Sequence, residues 1–149
     1  SLSSKVHQPT RPFLRESERH QISGFPFYAL GCGLALFFFS ERIALLALMF
    51  LIFADPISAS VGTVFGKDKI LPNKSLQGCV ACFATCYLLT LVYCVIYTSG
   101  GPIIIIFSLL GGLIGCLSEL TSVFVDDNLS IPVLSGLGLS VLNQVFALL

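Results

Sequence analysis

Long apolar runs broken by short polar turns set the pattern of this chain. A helix crossing about 30 Å of hydrocarbon needs about 20 mostly apolar residues. Five stretches are candidates, roughly 25–39, 43–65, 76–98, 102–125 and 129–149. The first is short unless it begins near Ile22, and Ser40, Glu41 and Arg42 make a tight turn into the second. A soluble bundle would need amphipathic helices with a solvated face, and the last three stretches have almost none. The expected fold is therefore all-α, a polytopic transmembrane bundle of about five spans. Two units are expected: a polar cytoplasmic leader, 1–24, and a membrane domain, 25–149. The leader's run Arg15-Glu16-Ser17-Glu18-Arg19 reads as a surface helix steadying the first span. The opening at Ser1, without a secretory cleavage pattern, suggests a fragment with further spans upstream.

Composition sharpens this picture. Of 149 residues, 55% are apolar and 11% charged, against about 25% charged in soluble domains. A soluble enzyme is excluded on that ground, and a net charge of zero removes the electrostatic case for nucleic acid. The charges are unevenly placed: no Lys, Arg or His follows Lys74, and residues 75–149 carry only Glu119, Asp126 and Asp127. With five crossings, the leader (Lys5, Arg11, Arg15, Arg19), the loop 66–75 (Lys67, Lys69, Lys74) and the turn at 126–128 share one side. Arg42 is the one cation on the other. The excess of cations assigns the richer side to the cytoplasm, in a bacterial inner membrane or the endoplasmic reticulum. All six cysteines lie within apolar stretches and read as packing residues. Gly111, Gly112 and Gly115 allow close helix packing, including between copies in a homo-oligomer.

Charged groups at membrane depth usually mark function. Asp55 follows twelve residues of the second stretch, about 18 Å of helix, and precedes Pro56, which disfavours helical angles at Asp55. The second span is expected to be broken there, against a polar or protein-walled cavity. Glu119 lies about 17 residues into the fourth stretch, and Asp126 follows it by seven, close to two turns. Asp55, Glu119, Asp126 and Asp127 are thus expected to gather near the cytoplasmic surface. Carboxylates with Asn128 suit Mg²⁺, which takes one or two carboxylates together with substrate phosphates. Alone, Asp126-Asp127-Asn128 would read as a turn capping the fifth span.

The facing loop is cationic. Gly62, Gly66, Lys67 and Lys69 precede Asn73, Lys74, Ser75 and Gly78. Asn73 or Ser75 can cap the third span, whose N-terminus attracts anions. Lys74 adds a full charge, and Gly66 and Gly78 allow a phosphate close to the backbone. Set against the acids, this loop has the character of half of a metal–nucleotide site.

The string from Asp55 to Gly78, with Asp55, Gly62-x-x-Phe65-Gly66-Lys67 and Asn73-Lys74-Ser75-x-x-Gly78, resembles two membrane families that consume CTP. One is the phosphatidate cytidylyltransferases; the other is the CTP-dependent lipid-alcohol kinases, which include dolichol kinase, phytol kinase and the CTP-using diacylglycerol kinase. Glu119 followed by Asp126-Asp127-Asn128-Leu129-Ser130-Ile131-Pro132 resembles the kinases. The cytidylyltransferases' closing signature needs Lys, Arg and His, which this chain lacks after Lys74. The resemblance covers roughly residues 24–140, with one departure, Ala54 and Pro56 around the first acid where the family usually has Gly before Asp.

The kinase resemblance implies Mg²⁺-dependent transfer of the γ-phosphate of CTP to the hydroxyl of a membrane lipid alcohol: a polyprenol such as dolichol, phytol or diacylglycerol. Lys67, Lys69, Lys74, the loop glycines, Asn73 and Ser75 would take the nucleotide. Asp55, Asp126, Asp127 and Asn128 would hold the metal, and Asp55 or Glu119 would accept the alcohol proton. Three alternatives remain at this level: a cytidylyltransferase, a small cation- or proton-coupled transporter subunit, and an inactive scaffold.

Overall fold

The computed structural model describes residues 16–122 and 126–149, with side chains from residue 24 onward. The cations Lys5, Arg11 and Arg15 lie outside these residues. Helix α1 runs Glu16–Phe38 and α2 begins at Glu41 after a turn at Ser40. The helical path from Glu41 to Phe65 is continuous and comprises α2 (Glu41–Met49), a π-helical segment (Phe50–Ala54) and α3 (Asp55–Phe65). Helix α4 spans Leu76–Tyr97, α5 Ile103–Thr121 and α6 Asp127–Phe146. Four of these paths, 41–65, 76–97, 103–121 and 127–146, are long and apolar enough to cross a membrane, and Gly24–Phe38 is a shorter apolar helix. The chain is an integral membrane helical bundle.

The break expected at Asp55 takes another form. Pro56 has no N–H to give the carbonyl of Ile52, and its ring crowds that position. The preceding turn widens instead: the Asp55 N–H donates to the Phe50 carbonyl, five residues back. A π turn of this kind accommodates the missing donor without interrupting the helix. Asp55 therefore sits in helical backbone.

Helix α4 packs between α3 and α5, while α6 packs on α5, α1 and α2. Phe50, Leu46, Cys82, Cys86, Ile131 and Leu139 form the main buried cluster, with Cys94, Ile104 and Phe107 in a second. Cys82, Cys86 and Cys94 fill core space as small apolar groups. Residues such as Phe37, Ile96 and Val145 point outward, as expected where the surrounding solvent is lipid.

The glycines of α5 are used within the chain. A Cβ on Gly111 would meet Thr90, one on Gly112 would meet Phe83 and Tyr87, and one on Gly115 would clash with Cys86 Sγ. The stripe that could have joined two copies is filled by α4. The loop expected between the second and third spans carries a small antiparallel hairpin, β1 (Lys69–Leu71) and β2 (Lys74–Ser75), turning at Pro72-Asn73.

Replacing Gly115 by Val should destabilise the bundle by about 1–3 kcal/mol through overpacking. Gly33→Ala, where a Cβ meets nothing within 4 Å, should be neutral or stabilising by up to about 1 kcal/mol. Thermal melts in detergent check both.

Candidate functional site

Helices α3 and α4 cross where neither carries bulk. Gly62 and Gly78 face each other, and a Cβ on Gly78 would come within 3.0 Å of the Ser58 carbonyl. Gly66, which ends α3, lies against Ser75 and the Gly62 carbonyl. The room expected at Gly66 and Gly78 is thus largely taken by packing of protein on protein. Above this crossing lies a cavity of about 420 Å³, within the range of small-molecule sites.

Eight of the expected residues line it: Gly62, Gly66, Lys69, Asn73, Lys74, Ser75, Gly78 and Glu119. Ser58, Ala59 and Thr63 join them. These three were missed, although they stand three, four and eight residues after Asp55, on the helical face that also carries Gly62. Lys67 is exposed and does not line the cavity. Its backbone N–H and that of Asp68 donate to Gln77 Oε1, while Gln77 Nε2 donates to Asp68 Oδ2, so Gln77 pins the loop to α4.

Of the two caps proposed for α4, Ser75 is the one formed: its hydroxyl accepts from the Gly78 N–H at 3.2 Å. The Leu76 N–H donates to the Asp68 carbonyl. Two donors at this helix N-terminus are therefore already engaged, and the cationic character of the cavity comes mainly from lysine side chains.

The strongest interaction is an ion pair between Lys74 and Glu119, Nζ to Oε1 at 2.7 Å. Ser58 Oγ donates to the same oxygen, also at 2.7 Å. Glu119 is 1% exposed, and its second oxygen, Oε2, is buried without a partner among the described residues. Burial alone would disfavour the charged ammonium of Lys74. The hydrogen bond and charge of Glu119, with the charges of Asp55 and Asp127, outweigh it and raise the lysine above its usual value. The stability linked to that shift is present below the ordinary lysine value and lost only as pH rises through the higher folded one. Lys74 stays charged throughout the neutral range.

The remaining acids lie around this pair. Asp55 feels the charges of Asp127, Lys74, Glu119 and Asp126, with Asp127 the largest single neighbouring charge. Acids 72 residues apart in sequence thus share one region. Asp126 and Asp127 both accept through Oδ1 from the Asn128 backbone N–H, at 3.1 and 3.0 Å. Asn128 Nδ2 donates to the same two oxygens. Asp126 therefore caps α6 while keeping its place near Asp55. Among the described residues, no three acidic, His or Cys side chains are gathered as a ready-made metal cage. The set fits Mg²⁺ in its usual mode, with a few hard carboxylate oxygens completed by water and phosphate. The repulsion between Asp55 and Asp127 is what a divalent cation would relieve.

The chain is 34% identical over 136 residues to the CTP-dependent diacylglycerol kinase 1 of Schizosaccharomyces pombe, covering 84% of this chain and 62% of that one. It is 32% identical over 153 residues to the protein of that name in Saccharomyces cerevisiae, covering 89% and 53%. A third match, from Eremothecium gossypii, is 33% identical and covers 87% and 47%. These similarities, over most of the chain, support the CTP-dependent lipid kinase family as its family. It spans about half to three fifths of the length of these curated relatives. No protein-family profile matches it, and no solved structure does. The match to the Saccharomyces cerevisiae protein, over 89% of the chain, is long enough to contain both the lysine loop and the acids described above.

Because Glu119 is buried, removing Lys74 leaves its charge uncompensated. Lys74→Met should destabilise the protein by roughly 3 kcal/mol. The double variant Lys74→Met/Glu119→Leu should recover most of that loss, as read by chemical denaturation in detergent.

Proposed function

We propose that the protein transfers the γ-phosphate of CTP to the hydroxyl of diacylglycerol, with the loop side of the bundle facing the cytoplasm. The observation that carries this reading is the Glu119 carboxylate at the cavity: one oxygen is held by Lys74 and Ser58, and the other is buried and unpartnered. The names of the relatives supply the donor and the acceptor. The orientation rests on the excess of cations on the loop side.

In this reading the triphosphate lies in the cavity against Lys74 and Lys69, with Asn73 and Ser75 as polar contacts. The small side chains of Ser58, Ala59 and Thr63 on α3 leave space for it. Mg²⁺, when bound, supplies charge neutralisation to the phosphates, and Asp55 and Asp127 are the residues that would hold it, with Asp126 and Asn128 behind them. The lipid hydroxyl approaches Glu119 Oε2 and donates its hydrogen bond there. Its oxygen forms a new bond to the γ-phosphorus as the bond to the β-γ bridging oxygen breaks. The electron pair of the broken bond leaves on CDP, and the alcohol proton passes to Glu119. Glu119 also holds Lys74 where charge develops on the transferring group. A loose phosphoryl transition state asks chiefly for such positioning and neutralisation.

Between the two candidate proton acceptors, this assignment favours Glu119, because its free oxygen is buried and lacks a donor. Asp55, among several like charges, suits the cation better.

The test is an assay of the full-length protein in mixed micelles with γ-labelled CTP and diacylglycerol. Labelled phosphatidate and unlabelled CDP are expected. Release of labelled pyrophosphate when phosphatidate replaces diacylglycerol would assign a cytidylyl transfer instead, and no turnover with diacylglycerol would remove the kinase reading. Glu119→Gln should lower kcat by roughly 10²- to 10⁴-fold. Asp127→Asn should raise the Mg²⁺ concentration needed for half-maximal rate by about tenfold, the smaller effect expected where neighbouring oxygens still coordinate.

A further inference from the structure

We infer that Ser58 is a positioning residue for the phosphoryl acceptor site, acting through Glu119; this rests on the reading of Glu119 given above. Ser58 lies inside the string Asp55–Gly78 but is not one of the positions quoted as carrying the resemblance. It is 3% exposed, and its hydroxyl donates to Glu119 Oε1 across 61 residues of sequence. It joins α3, the helix of Asp55, to α5, the helix of Glu119.

The geometry gives this bond a specific task. A carboxylate held only by Lys74 could rotate about its terminal torsion, because that torsion is broad and a lysine ammonium is a compact charge on a flexible stem. Either oxygen could then face the ammonium. Two donors converging on Oε1, one from the loop and one from α3, fix which oxygen is engaged and which is left over. Oε2 is left without a partner. A buried acceptor in that state is costly unless a ligand supplies the donor, and a lipid hydroxyl does so. Ser58 thus sets the orientation of the acceptor that meets the substrate. Without its hydroxyl, Lys74 still neutralises Glu119 and still faces the phosphates. Orientation of the acceptor is lost while nucleotide binding is kept.

The closing experiment compares the full-length wild type with Ser58→Ala and Ser58→Thr, using labelled CTP and diacylglycerol in mixed micelles. Ser58→Ala should lower kcat by about 10- to 100-fold, the scale on which misplacement of a reacting group acts. The KM for CTP should stay within about twofold of wild type. Ser58→Thr, which keeps the hydroxyl, should recover at least part of the lost kcat. An unchanged kcat in Ser58→Ala overturns the inference. A parallel loss of kcat and CTP affinity that Ser58→Thr does not recover also overturns it, because that is the signature of a structural defect. Wild-type protein that makes no phosphatidate from CTP overturns the kinase reading itself. Normal wild-type turnover with an indifferent Ser58→Ala overturns the role of Ser58 alone.

Discussion

A carboxylate buried among apolar helices is tolerable only when its charge is answered, and in this bundle the answer is Lys74. Glu119 sits near the end of α5 at 1% exposure, where an unpaired charge would be strongly unfavourable. The lysine that neutralises it comes from the loop between α3 and α4. Satisfying Glu119 therefore fixes that loop against α5, and with it the hairpin, the Ser75 cap and the start of α4. The crossing of α3 and α4 at Gly62 and Gly78 lets Ser58 reach the same carboxylate. One ionised group thus organises three helices and the loop that joins two of them.

A satisfied ion pair would be a structural feature and nothing more if both carboxylate oxygens were occupied. Here the donors converge on Oε1 and leave Oε2 bare. Nearby, Asp55 and Asp127 repel each other, so the site holds more negative charge than its own lysines answer. An excess of buried acceptor capacity beside a cavity is a common mark of a site that binds something. The complement it asks for is a donor and positive charge.

Several features were legible in the sequence because they depend on local pattern. The spans follow from uninterrupted apolar runs, and the Ser75 and Asp126 caps follow from short polar residues placed before such runs. The gathering of Asp55, Glu119 and Asp127 followed from topology, since an even number of crossings returns the chain to one side. What was not legible depends on the facing of helices. Hydropathy shows where a helix lies but not which neighbour meets each side, so the pairing of Lys74 with Glu119 could not be read from their separation. Gly111, Gly112 and Gly115 announced a close contact without naming α4 as the partner. The π turn before Pro56 escaped because proline declares a missing donor, and only the tertiary setting decides whether the chain breaks or widens. Ser58, Ala59 and Thr63 were within reach, since helical spacing from Asp55 points to them.

The position of the cavity follows from a conflict between two solvents. In the proposed reaction the nucleotide triphosphate cannot enter hydrocarbon and the diacylglycerol cannot leave it, so a catalyst acting on both would meet them near a helix end. Ser58 and Gly62 lie in the C-terminal half of the helical path 41–65, Gly78 in the first turn of α4, Glu119 near the end of α5 and Asp127 at the start of α6. Each alternates in chain direction with the next, so these positions fall at one end of the bundle. Deeper placement would demand more counter-charges than eight basic residues can supply, and shallower placement would put Glu119 in water, where its pair with Lys74 would be weak. The depth of Glu119 is thus set from both sides: buried enough for Lys74 and Ser58 to hold it firmly, and near enough to the loop for a soluble phosphate donor to reach it.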